Sequence, residues 1–337
     1  MSDKKRSDAV LVGVDDGYAA IKLSWFNNKG DIVSQTLPSQ IREGEFGVSD
    51  FEGSPSGYET DGISYTVGDF SDGERTRFAN FAVSPLVRIL VHHALIEAGF
   101  AGKTVAIATG LPPRDYFLPG GREKNESFIK TKIEQMGKPV RRIGGGDVVS
   151  FSHHVVYSQA IGAVIDEIYD VANDAILPLS GPVGIVDVGG RTTDIAVIVH
   201  NNRSLGIDHS RSGSEEIGVL DVLEDIELSI RQRFRISRIP LGSLQKALET
   251  GIARIWGIDE DVSLFVDAAK KKTAERIRRA VSSKFGDGSD LDKILFVGGG
   301  AHAFGKILDY PNVTVPKDSQ YSNSRGFLKS LNISHKR

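Results

Sequence analysis

Two stretches of the 337-residue chain set carboxylates beside glycine turns between apolar runs. One is VLVGVDDGYAAIKL, residues 10–23, with Asp15 and Asp16 ahead of Gly17. The other is GIVDVGGRTTDIAVIV, residues 184–199, in which Asp187 precedes Gly189 and Gly190 and Asp194 follows Thr193. Apolar β-branched runs on both sides of a short glycine-containing turn predict a hairpin in each case. Turn chemistry alone explains Asp and Gly in one such hairpin. It does not explain the same pattern opening each half of the chain. A third stretch, ILFVGGGAHAFG at residues 294–305, runs an apolar strand into three glycines and an alanine. Residues without side chains let a flat or charged group lie against the backbone.

Together the three loops fit one arrangement. Two acid-tipped hairpins face each other across a cleft, and their backbone N–H groups cradle the β- and γ-phosphates of a nucleotide. Asp15 and Asp187 hold Mg²⁺ largely through water, because Mg²⁺ keeps most of its waters and needs few protein ligands. Lys22 reaches back to the phosphates as a point charge, and the glycine triplet receives purine and ribose. Glu215 and Glu216, expected near the start of a long helix, suit its positive end, and one of them can accept from the ribose. Neither a G-x-G-x-x-G dinucleotide fingerprint nor a G-x-x-x-x-G-K-[ST] loop is present.

The elements that must position these loops read as alternating strands and helices. Residues 1–9 read as a flexible, charged tail. Two or three strands fall within 10–34, and 43–77 reads as a small exposed lobe with a strand at 64–67. Ser84 and Pro85 mark the start of a helix over 84–98. Strands are expected at 104–110 and 148–156, with a turn at 111–113, a helix at 123–136 and another at 158–171. The second half carries its hairpin, helices at 214–234, 241–247 and 262–285, a strand at 293–297 and a final short helix at 323–331. The stretch KKKTAERIRRA, residues 270–280, reads as a solvated helix face near the nucleotide or a filament contact, with DNA binding as the rival reading. His92 and His93 read as helix packing. The length favours two domains. The formal net charge of −3 supplies no drive toward nucleic acid. Zero cysteines exclude disulfides and thiolate sites. No apolar run is long enough for a membrane span, so a soluble, intracellular protein is expected.

The order D-D-G…K, D-x-G-G-x-T-x-D and G-G-G-A resembles the phosphate 1, phosphate 2 and adenosine signature of the actin, Hsp70 and sugar-kinase ATPase superfamily. VHHAL (91–95), TGLPPRDYF (109–117) and DSQYSNSRGFL (318–328) resemble the ParM/StbA plasmid-segregation actins in particular. The resemblance spans residues 10–331. It implies an α/β actin-like fold: two RNase H-like domains flanking a nucleotide cleft, each with a smaller variable lobe. Domain I would cover 10–182 with its lobe at about 35–82, and domain II 183–322 with its lobe at about 215–275. Residues 323–337 would return to domain I as a C-terminal helix.

The implied activity is ATP hydrolysis coupled to filament growth that moves low-copy plasmids apart in the bacterial cytoplasm, with GTP left open beside ATP. Asp15, Asp16, Gly17, Tyr18 and Lys22 would serve phosphate 1. Asp187, Gly189, Gly190, Arg191 and Thr192 would serve phosphate 2, and Gly298, Gly299, Gly300 and Ala301 the adenosine. Arg191 either touches phosphate or points to solvent. Gln159 would orient the attacking water at the start of the helix joining the halves, with Ser158 as its rival. The implied partners are other copies of the chain and a ParR-type adaptor on a plasmid centromere, with no direct DNA or membrane binding. The adaptor groove is expected beside SNSRGFLKSL, residues 322–331. A sugar-type kinase and another bacterial actin-like filament are the alternative functions.

Overall fold

The computed structural model describes residues 9–44, 56–68, 80–120, 123–201 and 204–336. Two five-stranded sheets carry the fold. The first runs in the order Ile32–Pro38, Ala20–Phe26, Val10–Asp16, Thr104–Leu111, Ser150–Ser158. Its first three strands form an antiparallel meander, and the last two join in parallel. The second sheet repeats this order with Ser204–Glu215, Thr193–Asn201, Val183–Val188, Lys293–Val297 and Val313–Thr314. The likeness between the halves therefore extends from the opening hairpins to whole sheets. The central strands are continuous apolar runs because helices cover both their faces. Val12, Val14 and Ile107 are buried in one half, and Ile185, Val186 and Phe296 in the other.

Helix Pro85–Leu95 starts where Ser84 accepts the Val87 N–H at 3.3 Å and proline fills the first turn. It shares a core with a small sheet built from Ile41–Glu43, Ser56–Thr60, Ile63–Val67 and Arg141–Arg142. Tyr58, Tyr65 and Val67 are buried there, so this part of the expected surface lobe is core. The rest of that lobe, 45–55 and 69–79, lies outside the described residues. Arg88 is fully buried and binds the Thr60 hydroxyl at 2.5 Å, Asp61 at 3.1 Å and the Gln135 carbonyl at 2.5 Å.

His92 packs on Phe151 with ring centres 4.9 Å apart, and His93 Nδ1 lies 2.9 Å from the Tyr58 hydroxyl. Among the described residues no cluster of three or more His, Cys, Asp or Glu side chains could hold a metal. Burial, helped by the charge of Arg88, pushes His92 down from 6.5 to about 4. A histidine whose folded pKa is depressed binds fewer protons than in the unfolded chain. Its contribution is therefore lost as pH falls through 6.5 toward 4. His92→Leu should reduce the stability lost between pH 7 and pH 5 by on the order of 2 kcal/mol. Urea titrations at the two pH values measure this, and an equal loss in both proteins would refute it.

Several boundaries differ from expectation. Ser204–Glu215 is an edge strand paired with Thr193–Asn201, and the helix expected from 214 starts at Val219. The polar RSGSEE stretch looks like a helix start, but an edge strand facing water is polar for the same reason. The Asp221 carboxylate caps this helix by accepting the Gly218 N–H at 2.7 Å. The turn at 111–113 leads into a one-turn helix, Pro113–Tyr116. The helix expected over 158–171 is Gln159–Ile168, and the short final helix is the longer Ser322–Lys336. This closing helix is buried along Asn323, Ser324, Phe327, Leu328 and Leu331. No described helix is long and apolar enough to cross a membrane.

Candidate functional site

The first hairpin pairs Asp15 with Lys22 across the ladder. Successive side chains of a strand point to opposite faces, so the two adjacent aspartates part company. Asp15 faces the cleft, where Lys22 Nζ lies 3.0 Å from its Oδ2 and Gln159 Nε2 lies 3.4 Å from its Oδ1. Burial opposes the Lys22 charge, yet Asp15 and Asp187 outweigh it and hold the ammonium pKa above its usual value. Asp16 points into the first half, where Lys132 Nζ donates to its Oδ2 at 2.5 Å. Its side chain thus stands apart from the other phosphate 1 residues. Both members of this pair are almost wholly shielded from water. Removing one partner leaves an uncompensated buried charge, so Lys132→Met should cost about 3–5 kcal/mol of stability. The double variant Asp16→Asn/Lys132→Met should recover part of that loss in guanidinium titrations. A Lys132→Met protein as stable as wild type would overturn the expectation.

The second hairpin sets Asp187 opposite Asp194. Burial and the nearby charge of Asp15 push Asp187 up to about 6, against the pull of Asn323 and Lys22. Asn323, on the closing helix, donates from Nδ2 to Asp187 Oδ2 at 2.7 Å. Burial pushes Asp194 up to about 7, although the Ser214 and Thr192 hydroxyls donate to it. The third loop abuts this point. A Cβ on Gly298, whose φ is +83°, would overlap the Asp187 carboxylate, so the position is open only to glycine. The two turns also meet directly, since a Cβ on Gly190 would lie 2.7 Å from that of Ala19.

Arg191 neither points to solvent nor stands free. Its guanidinium lies over the Tyr18 ring, 5.3 Å from the centroid, and binds Glu216 at 3.0 Å. Glu216 in turn lies 3.8 Å from Arg114 of the first half. Arg191 Nε is buried without a hydrogen-bond partner. Gln159, the first residue of its helix, reaches Asp15, whereas Ser158 is buried one residue earlier with its Oγ unpartnered. Glu215 ends the edge strand with its side chain exposed, away from the helix start expected for it.

Beside the two turns opens a cavity of about 1140 Å³ between the halves. Tyr18 and Ser39 line one wall, and Glu224, Lys270, Gly299 and His302 line the other. Gly300 and Ala301 are buried behind Gly299 in the short helix Gly300–Phe304. The volume suits a nucleotide. The donor set fits a hydrated Mg²⁺: two carboxylates in a buried, anion-rich pocket, with one ammonium between them and glycine backbone on both sides. Asn323, Lys132 and the cleft residue Glu224 were not expected from sequence. Asn323 and Lys132 bind partners 136 and 116 residues away, and Glu224 enters the cavity wall from a helix face.

The doubled sheet order and the facing acidic hairpins define the actin-like ATPase fold. Residues 10–169 match the family model for the plasmid segregation protein ParM, N-terminal, and residues 185–310 that for the archaeal actin homologue MreB-like, C-terminal. The first half is thus similar to ParM and the second to an archaeal actin homologue, both of them actin-like proteins. No curated protein matches it in sequence. Among solved structures it resembles a 15-stranded ParM filament from Clostridium botulinum, with a TM-score of 0.75 and 17% identity over 97% of this chain and 100% of that one. It also resembles an archaeal actin homologue in complex with ADP, at 0.73 and 20% over 96% and 99%. Bacillus thuringiensis ParM with ATP gives 0.66 and 19% over 98% and 100%.

Proposed function

We propose that the chain is an ATP-driven, filament-forming protein of the bacterial cytoplasm that moves low-copy plasmid DNA through a ParR-type adaptor. The observation that carries this reading is the meeting of Asp15 and Asp187 at one buried point, with Lys22 and Gln159 beside them. In it, Asp15 and Asp187 hold Mg²⁺ largely through water. The backbone N–H groups around Gly17, Tyr18, Gly189, Gly190 and Thr192 bind the phosphates, and Lys22 neutralises charge next to them. Gly298, Gly299, Gly300 and Ala301 receive the adenosine. Bound Mg²⁺ supplies charge neutralisation at the β- and γ-phosphates. Gln159 orients a water by hydrogen bonds and cannot take its proton, which suits slow hydrolysis.

Self-assembly is supported by exposed apolar side chains on the second half. Trp256, at the tip of the hairpin formed by Ile252–Ile255 and Ile258–Asp261, is 82% exposed, and Ile258 of the same hairpin is 62% exposed. Large exposed apolar groups in one place mark interaction surfaces. The net charge of −3 gives little attraction for a phosphate backbone, so DNA is held through the adaptor. Co-sedimentation of plasmid DNA with ATP-assembled protein tests this. DNA is expected in the pellet only with the adaptor present. Salt-sensitive binding by the chain alone would contradict it.

A further inference from the structure

The closing helix belongs to the first half by packing, yet one of its side chains ends on the second half. Ser324 Oγ lies 2.8 Å from Ser24 Oγ, and Arg325 grips Asp166 of the Gln159–Ile168 helix at 2.7 and 2.9 Å. Directly before these two residues, Asn323 is 5% exposed and donates to Asp187. Its other amide atom, Oδ1, is buried with no hydrogen-bond partner. Buried amide oxygens are nearly always satisfied. An unmet acceptor next to a carboxylate that holds a hydrated cation has an obvious donor, a water carried by that cation.

We propose that Asn323 is a positioning residue for the cation: Nδ2 fixes the orientation of Asp187, and Oδ1 accepts a hydrogen bond from a cation-bound water. The proposal rests on the reading of Asp187 as a cation ligand. Groups that orient a metal's ligands change metal affinity by about 10–100-fold when removed. They do so without touching the rest of the bound molecule. The role also explains why the acceptor is left open within an otherwise well-paired helix.

The test uses the full chain, a fluorescent ATP analogue and a Mg²⁺ titration, with a parallel binding curve in EDTA. Asn323→Ala removes the amide, and Asn323→Leu removes it while keeping the volume. Both variants should need about 10–100-fold more Mg²⁺ for half-maximal nucleotide binding. Their affinity in EDTA should stay within about twofold of wild type, since the amide does not reach the nucleotide itself. If Asn323→Ala fails to fold, the Leu variant decides. A Leu variant with the wild-type Mg²⁺ requirement would reduce Asn323 to packing and overturn the proposal. Wild-type nucleotide binding that ignores Mg²⁺ would overturn the cation reading of Asp187 and the proposal with it.

Discussion

Asp187→Ala is expected to abolish ATP hydrolysis and to lower affinity for Mg²⁺-nucleotide, while nucleotide binding in EDTA should change little. The carboxylate lies buried at the tip of the second hairpin, shares its pocket with Asp15, and is held by Asn323 at 2.7 Å. Without a cation, its charge is disfavoured there by burial and by Asp15. Lys22 and Asn323 offset only part of that cost, and a bound cation would offset more. A cation that polarises a phosphoryl group supplies several kcal/mol of transition-state stabilisation, and each 1.36 kcal/mol is tenfold in rate. Losing one of its two anchoring carboxylates should therefore slow phosphate release by about 1000-fold or more. The cation-free fold should keep its stability to within about 1 kcal/mol, because a disfavoured buried charge leaves with the side chain. Coupled phosphate-release assays and equilibrium binding with and without Mg²⁺ separate these effects. Wild-type turnover in the variant would remove Asp187 from the site.

Gln159→Ala is expected to slow hydrolysis by about 10- to 1000-fold, the range for losing one orienting or stabilising group, and to leave ATP binding and assembly intact. Gln159 opens its helix directly after strand Ser150–Ser158, and its amide reaches Asp15 at 3.4 Å. It is placed by strand, helix and carboxylate together, and in the proposed reading it does not itself hold the cation. Filaments should therefore form and then persist, since nucleotide turnover no longer limits their lifetime. Phosphate release followed alongside the decay of scattering after an ATP pulse would show both changes. Normal hydrolysis in this variant combined with slow hydrolysis in Ser158→Ala would move the role to Ser158, whose hydroxyl is buried and unpartnered.

The hairpins and the glycine loop were legible because everything that defines them is contiguous. Strand Lys293–Val297 falls where its apolar run ends, and the Ser84-Pro85 start falls where its cap chemistry puts it. The edge strand Ser204–Glu215 was misread in part because its polarity reflects exposure rather than helical periodicity. The fate of Asp16 was hidden for a different reason. Asp15 and Asp16 are chemically identical neighbours, and only the strand's alternation, plus a lysine 116 residues away, separates a cleft carboxylate from a buried ion pair. The Asn323–Asp187 contact joins residues 136 apart and depends on how the closing helix seats. Adjacency in sequence carries no trace of such pairings. The double role of Arg191, stacked on Tyr18 and bound to Glu216, likewise requires both halves in place.

The filament reading is tested most directly by right-angle light scattering of the purified chain across a range of protein concentrations, with ATP and Mg²⁺ added. A rise that begins only above a threshold concentration, is absent with EDTA, and decays as phosphate is released is the expected result. A flat trace at every concentration, with ATP hydrolysed all the same, would contradict a filament-forming ATPase and favour a kinase of the same fold.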